Sequence, residues 1–324
     1  MKELIKDNII KFLEQSIGTT VTQCEQIMGS ASKRLYFRLG TTYNISYIGV
    51  YNERIEENKT FFHFTDVFSN NHLPVPKLIA IHQNNTMYIC EDVGKDDLFT
   101  LVKNADFQWN EQLLLLFKKV LDYLIMFQLE GKKHIDFNKC YEKNIFDNQM
   151  ILWDLNYFKY YFIKLMFPSP SEIKLDKDFN NILAYMAQID NSFFMYRDFQ
   201  SRNIMIHDFN PFFIDYQGGL RGPLEYDVAS LLYQTRLNMP HNVSEILISH
   251  YIEKLYSYIS IDEVQFRNNL TVISFIRILQ NLGAYGFRGI IEKNNTFIEP
   301  LQIALQKAYT ISQTCSKFID IQYI

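Results

Sequence analysis

The sequence predicts an α+β fold of two lobes, a small antiparallel sheet followed by a mainly helical region. Three observations predict it. Between residues 21 and 91, short runs rich in β-branched and aromatic residues alternate with polar turns and are interrupted by a single helical stretch. From residue 95 onward, apolar residues recur mostly at helical spacing. That helical region is broken once, at 204–216, by a short hairpin signature.

Residues 4–16 carry Leu4, Ile5, Ile9, Ile10, Phe12 and Leu13 at helical spacing and predict an opening helix against the first lobe. Val21 to Met28, Arg34 to Leu39 and Tyr43 to Tyr51 read as three strands, joined by the polar loop 29–33 and by a turn at Gly40-Thr41-Thr42. Glu56 to Phe68 reads as a helix with Phe61, Phe64, Val67 and Phe68 inward. After Leu73-Pro74-Val75-Pro76, two further strands are expected at Lys77 to Ile81 and Thr86 to Glu91.

The first lobe should then span 1–93 and the second 94–324. In the second, Leu113 to Ile125 defines a long amphipathic helix. Asp154 is expected to begin another, carrying Leu155, Phe158, Phe162 and Leu165. Ser169-Pro170-Ser171-Glu172 reads as a capping box with Pro at the first helical position, opening a helix through Ile189. After residue 224 the chain reads as helical, with a break expected around Gly283 to Gly289.

Composition narrows the functional classes. A net charge of −4 and the absence of a basic run argue against nucleic acid as a partner. With 48% hydrophobic residues the chain can bury a sizeable core. Cys24, Cys90, Cys140 and Cys315 are too far apart for a zinc site and read as reduced thiols of a cytoplasmic protein. The opening residues form a helix start rather than a signal peptide. The greasiest segment, Leu113 to Phe117, is soon broken by Lys118 and Lys119, so no membrane span is expected.

The most informative segment is Met195-Tyr196-Arg197-Asp198-Phe199-Gln200-Ser201-Arg202-Asn203-Ile204-Met205-Ile206, followed by Phe213-Ile214-Asp215-Tyr216. Ile204–Ile206 and Phe212–Tyr216 are expected to pair across a turn at His207 to Pro211, which would return Asp215 to the level of Asn203. Two oxygen ligands facing one cleft suit a hard divalent cation. Asp198 can accept a proton from a substrate hydroxyl, while Asn203 and Asp215 can hold Mg²⁺ against the phosphates of ATP. On the nucleotide side, Ser30, Ala31, Ser32 and Lys33 form a small polar loop able to approach phosphate oxygens, or an ordinary polar hairpin.

These residues resemble the catalytic loop and metal segment of kinases, with Tyr-Arg-Asp at 196–198 where protein kinases read His-Arg-Asp. Together with Ile214-Asp215-Tyr216-Gln217 and Gly222 to Leu232, the sequence is similar to the aminoglycoside-phosphotransferase-like branch of the kinase fold. Within that branch it is most similar to bacterial anomeric kinases of N-acetylmuramic acid and N-acetylglucosamine. The resemblance implies Asp198 as catalytic base, Asn203 and Asp215 as Mg²⁺ ligands, and ATP as phosphate donor. It implies that Glu91 and Val93, at the edge between the lobes, offer backbone groups to adenine. Asp227 would be a buried acceptor for catalytic-loop amides or, alternatively, a helix N-cap.

One part of the pattern is missing. Protein kinases place a Lys on the third strand, bridging phosphates and a helix Glu. Tyr43 to Tyr51 contains no Lys, and Glu57 has no evident mate, so Lys33 or Arg34 would have to compensate.

On the acceptor side, Asp154, Asn156 and Tyr157 belong to an aromatic-rich segment suited to a sugar, with Asp154 equally readable as an N-cap. Arg202 could steady the transferring phosphoryl group or an acceptor carboxylate. Three functions follow from the resemblance: an amino-sugar kinase, an aminoglycoside phosphotransferase, and a nucleotide-binding pseudokinase that serves as a partner scaffold.

Overall fold

The structure is a computed structural model that describes residues 2–27 and 34–324. The first lobe is built on a five-stranded antiparallel sheet: β1 (Val21–Ile27), β2 (Leu35–Thr41), β3 (Ser46–Tyr51), β4 (Leu78–Ile81) and β5 (Met87–Glu91), in the order β1-β2-β3-β5-β4. Alternation along β2 explains its two faces. Phe37 and Leu39 join Met87 and Ile89 beneath Ile5, Ile9 and Leu13 of helix α1 (Lys2–Ile17). Tyr36 and Arg38 point to the opposite face, which lines a cleft. α1 approaches so closely that a Cβ on Gly49 would stand 2.4 Å from Ile9 Cγ2, so only glycine permits the contact.

Helix α2 (Ile55–Asn70) lies on the cleft side and reaches the second lobe through Phe64 and Phe68, which meet Phe194 edge-on. The turn expected at 40–42 falls later. Gly40 and Thr41 remain in β2, β3 starts only at Ser46, and Asn44 takes the left-handed conformation at φ 57°. A small polar Asn tolerates that conformation better than the residues around it, which is why the reversal moves there.

The second lobe comprises α3 (Leu98–Asn104), α4 (Glu111–His134), α5 (Asn148–Phe158), the one-turn α6 (Lys164–Met166), α7 (Glu172–Met186), α8 (Leu224–Leu232), α9 (His241–Tyr256), α10 (Glu263–Ala284) and α11 (Leu301–Cys315). α10 is its axis, packing against α5, α8 and α11, and α4 packs against α9. Two π-helical turns, Lys159–Ile163 after α5 and Tyr285–Ile291 after α10, lie against one another. Among the described residues no helix is long and apolar enough to cross a membrane.

Several boundaries differ from expectation. Asp154 does not begin a helix. α5 starts at Asn148, where Asp147 accepts from Met150 N at 3.0 Å as N-cap, and Asp154 lies inside the helix. Ser171, rather than Ser169, caps α7 by accepting from Lys174 N, which leaves Pro170 outside the helix. The hairpin is β7 (Ile204–His207) with β8 (Asn210–Phe213). Its turn is only Asp208-Phe209, both at positive φ, as a two-residue reversal between twisted strands requires. Pro211 is accommodated because it opposes Ile206, whose own N–H turns away to Asp96 O. Two short strands, β6 (Phe193–Met195) and β9 (Leu220–Gly222), pair with each other and were not evident in the sequence.

Candidate active site

β6 delivers the chain to Tyr196, Arg197 and Asp198. Arg197 adopts φ 73°, a conformation that side chains disfavour and that surrounding structure must hold. Asp227 holds it. Fully buried in the first turn of α8, it accepts from Tyr196 N at 2.7 Å and Arg197 N at 2.9 Å. Pro223 occupies the N-cap position of α8, so the alternative reading of Asp227 as N-cap falls. Burial pushes the Asp227 carboxyl up to about 7, although the two amides pull the other way.

Two bonds tie the 196–203 loop to the segment that carries Asp215, and a third braces the loop itself. Tyr196 Oη donates to Ile214 O at 2.7 Å, Asn203 Nδ2 donates to Asp198 O at 2.9 Å, and Ile214 N donates to Asn203 O at 3.0 Å. Asp198, Asn203 and Asp215 thus face one cleft from two cross-tied stretches of backbone. Asp215 is itself left-handed, at φ 68°. Its Oδ1 accepts from Gln217 Nε2 at 2.8 Å and from Arg34 Nη1 at 3.2 Å. Tyr216 is buried against α2, stacked on Phe61 at 5.2 Å and sharing a 2.6 Å hydroxyl contact with Thr65. Burial raises the Asp198 carboxyl, and neighbouring Asp215 raises it further; Arg197, Arg277 and Arg202 oppose this.

The cleft encloses about 690 Å³, a volume typical of small-molecule sites. Glu91 and Val93 line it at the edge between the lobes. Between them, Asp92 is clamped by Arg38 (2.6 and 3.2 Å) and Ser46 (2.7 Å). Burial would raise the Asp92 carboxyl, yet these donors hold it below the ordinary range. The expected loop residues Ser30, Ala31, Ser32 and Lys33 lie outside the described residues. Arg34 lies just beyond them and makes the contact the third strand lacks. Its Nη2 is 2.5 Å from Glu57 Oε1, and Ile48 and Val50 present only apolar side chains to the cleft.

On the acceptor side, Asp154 Oδ1 accepts from Gln280 Nε2 at 2.7 Å. Gln280 in turn accepts from Arg277 Nη1, which also donates to Tyr226 Oη, each at 2.7 Å. Arg277 is buried and its Nε has no hydrogen-bond partner among the described residues. Burial raises the Asp154 carboxyl; Arg277, Arg197 and Gln280 lower it, and Asp198 raises it, which sets Asp154 within electrostatic reach of the catalytic loop. Tyr157 lies one turn further along α5, against Gly283, Tyr161 and Phe287. Asn156 is half-buried on the same helix, and none of the three expected acceptor residues, Asp154, Asn156 and Tyr157, is among the residues lining the cleft. Arg202 is exposed and lines the cleft. Gln280 escaped the sequence reading. Its signal was a polar pair, Arg277 and Gln280, three residues apart in an otherwise apolar stretch of α10.

The residues present fit a Mg²⁺ ion. Asp215 offers a carboxylate. Asn203 spends its amide nitrogen on Asp198 O, which turns its carbonyl oxygen the other way. Among the described residues no three His, Cys, Asp or Glu side chains form a self-sufficient cage. Mg²⁺ commonly relies on one or two protein ligands completed by phosphates and water.

No protein-family model matches the sequence. A curated relative from Pseudomonas aeruginosa, an N-acetylmuramate/N-acetylglucosamine kinase, is 23% identical over 202 residues. That match covers 61% of this chain and 56% of the relative, so the chain aligns with little more than half of that protein. Among solved structures, an amicoumacin kinase in complex with AMP-PNP and Ca²⁺ superposes with a TM-score of 0.64 at 11% identity, covering 96% of each chain. A spectinomycin phosphotransferase in complex with ADP and spectinomycin superposes with a TM-score of 0.61 at 12% identity, covering 95% of this chain and 98% of the other. A sheet-built first lobe, a helical second lobe and these superpositions along nearly the whole length lead to one conclusion: the chain has the bilobal, protein-kinase-like fold of the aminoglycoside-phosphotransferase-like small-molecule kinases.

Proposed function

We propose that the protein is an ATP- and Mg²⁺-dependent phosphotransferase whose acceptor is an N-acetylated amino sugar, phosphorylated at its anomeric hydroxyl. The observation that carries this reading is the cross-tied set Asp198, Asn203 and Asp215 in a cleft of small-molecule size. Asp198 orients the acceptor hydroxyl and takes its proton as the acceptor oxygen bonds to the γ-phosphorus. The bond to the β-phosphate oxygen breaks and ADP leaves. Asn203 and Asp215 would hold Mg²⁺, which offsets charge on the phosphate oxygens when bound. An anomeric hydroxyl is more acidic than an ordinary alcohol, so a carboxylate is an adequate base.

Charge supports this acceptor class over a polycationic aminoglycoside. Arg197, Arg202 and Arg277 act on Asp198, and Arg197 and Arg277 act also on Asp154. The acceptor side is therefore balanced in charge, where a polyamine needs an acidic excess. The sugar reading also rests on the sequence motifs, since the structural neighbours include antibiotic kinases.

The test is ATP consumption across a panel of acceptors. Turnover of N-acetylglucosamine or N-acetylmuramate is expected; turnover restricted to kanamycin-type amines, or nucleotide binding with no turnover, would replace this reading with the second or third. Asp198→Asn should retain nucleotide binding and lower kcat by about 10²–10⁴-fold. Near-normal kcat in that variant would remove Asp198 as base.

A further inference from the structure

We infer that Arg34 is the phosphate-binding cation of the cleft, and that it gives up Asp215 for the nucleotide's phosphates when Mg–ATP enters; this rests on the phosphotransferase reading above. Positive charge is missing where β3 faces the cleft. β3 offers Ile48 and Val50 to the cleft, and neither can meet a phosphate. Leu35 opposes Tyr51 in the sheet, so Arg34 stands beside Asn52, just past the end of β3. From there a guanidinium can do what a shorter ammonium on the neighbouring strand would do. Its planar fork engages two carboxylates, Glu57 through Nη2 at 2.5 Å and Asp215 through Nη1 at 3.2 Å, and the same Nη1 also donates to Tyr36 Oη at 3.2 Å.

The two contacts are unequal. Glu57 is fixed, its other oxygen taken by Asn52 Nδ2 at 3.0 Å. Asn52 is locked in turn by reciprocal bonds with Asn58, both residues buried. Asp215 is the more exposed partner and the longer contact. Arg34 and a divalent ion on Asp215 would repel each other unless anionic oxygens lay between them. The phosphates of ATP supply those oxygens, so metal and nucleotide should enter together, with Glu57 retaining the arginine.

Arg34→Met tests this through equilibrium binding rather than turnover. Calorimetry with Mg–ATP should show affinity lowered by about tenfold to a hundredfold, the loss of a charge-assisted contact, with adenosine binding unchanged. Without nucleotide, Mn²⁺ binding followed by electron paramagnetic resonance should become tighter, because a repelling charge has gone. A general loss of structure cannot produce these opposite changes. Equal losses for ATP and adenosine, or weaker Mn²⁺ binding, would reduce Arg34 to a structural brace. Where Arg34→Met does not fold, Arg34→Gln removes the charge while keeping a polar side chain, and the same outcomes decide. Wild-type protein that binds no Mg–ATP would overturn the phosphotransferase reading as well, whereas normal wild-type binding with an unchanged variant would overturn the arginine's role alone.

Discussion

Tyr196 stands where protein kinases carry His, and its contacts explain why the exchange is tolerated. Its backbone is held by Asp227 and its hydroxyl by Ile214 O, so one residue joins the 196–203 loop to the segment that carries Asp215. Tyr196→Phe would leave the Ile214 carbonyl without that donor in a buried setting. A loss of about 1–3 kcal/mol is expected, read as a lower urea midpoint. An unchanged midpoint would mean that the carbonyl finds another donor. At this scale the sequence was readable where the candidate residues lie close together along the chain. Asp198, Asn203 and Asp215 announce themselves by spacing. The mate of Glu57 was narrowed only to Lys33 or Arg34, because Arg34 and Glu57 meet through sheet register, which is set by turns elsewhere. Asp154 was misplaced as a helix start because Asp147 and Asp154 carry the same capping chemistry, and only the backbone distinguishes them.

Among the elements, the pair of π-helical turns is the least expected. A π turn leaves the apolar pattern nearly intact, so periodicity cannot reveal it. The glycines near 283–289 signalled a break, and the structure gives the reason. A Cβ on Gly286 would stand 1.7 Å from Tyr161 O, and one on Gly283 would stand 2.9 Å from Phe158 N. The two widened turns thus approach backbone to backbone, at the end of the contact between α5 and α10 that carries Asp154 and Gln280. Gly286→Ala should cost about 3 kcal/mol or more, since backbone rather than a flexible side chain must yield. A thermal midpoint equal to wild type would show that the turns can separate freely. The strands were read to within a few residues, because alternation fixes which residues form a strand while the turn fixes where it stops. β6 and β9, three residues each, are too short for alternation to register.

At the scale of the whole molecule, buried carboxyls shape the response to pH. Glu225 is buried, accepts from Asn269 Nδ2 at 2.9 Å, and is pushed by burial up to about 7 from an ordinary 4.5. Asp227 is displaced in the same direction, to about 7 from 3.8. Both folded-state values lie above the unfolded ones. The folded protein therefore retains protons that the unfolded chain has released. The stability contributed by these groups is full below the unfolded values and declines as pH rises through about 7. Glu225→Gln keeps an acceptor for Asn269 and removes one ionisation. Urea titrations between about pH 5 and 8 should show a flatter decline, with the variant ahead by on the order of 1–3 kcal/mol at the alkaline end. A slope identical to wild type would exclude Glu225 from the linkage.

Helix α2 carries Glu57 near its start and receives Tyr216 between Phe61, Thr65 and Phe68 further along. Kinases that are switched on and off do so by displacing the equivalent helix and breaking its ion pair. Here such a displacement would also open a stacked aromatic seam and strand the buried Tyr216 hydroxyl, while Thr65 keeps its bond to Phe61 O, a cost of several kcal/mol. Helix α2 is therefore held at two places, by its ion pair with Arg34 and by the Tyr216 seam, and any displacement of it must break both together.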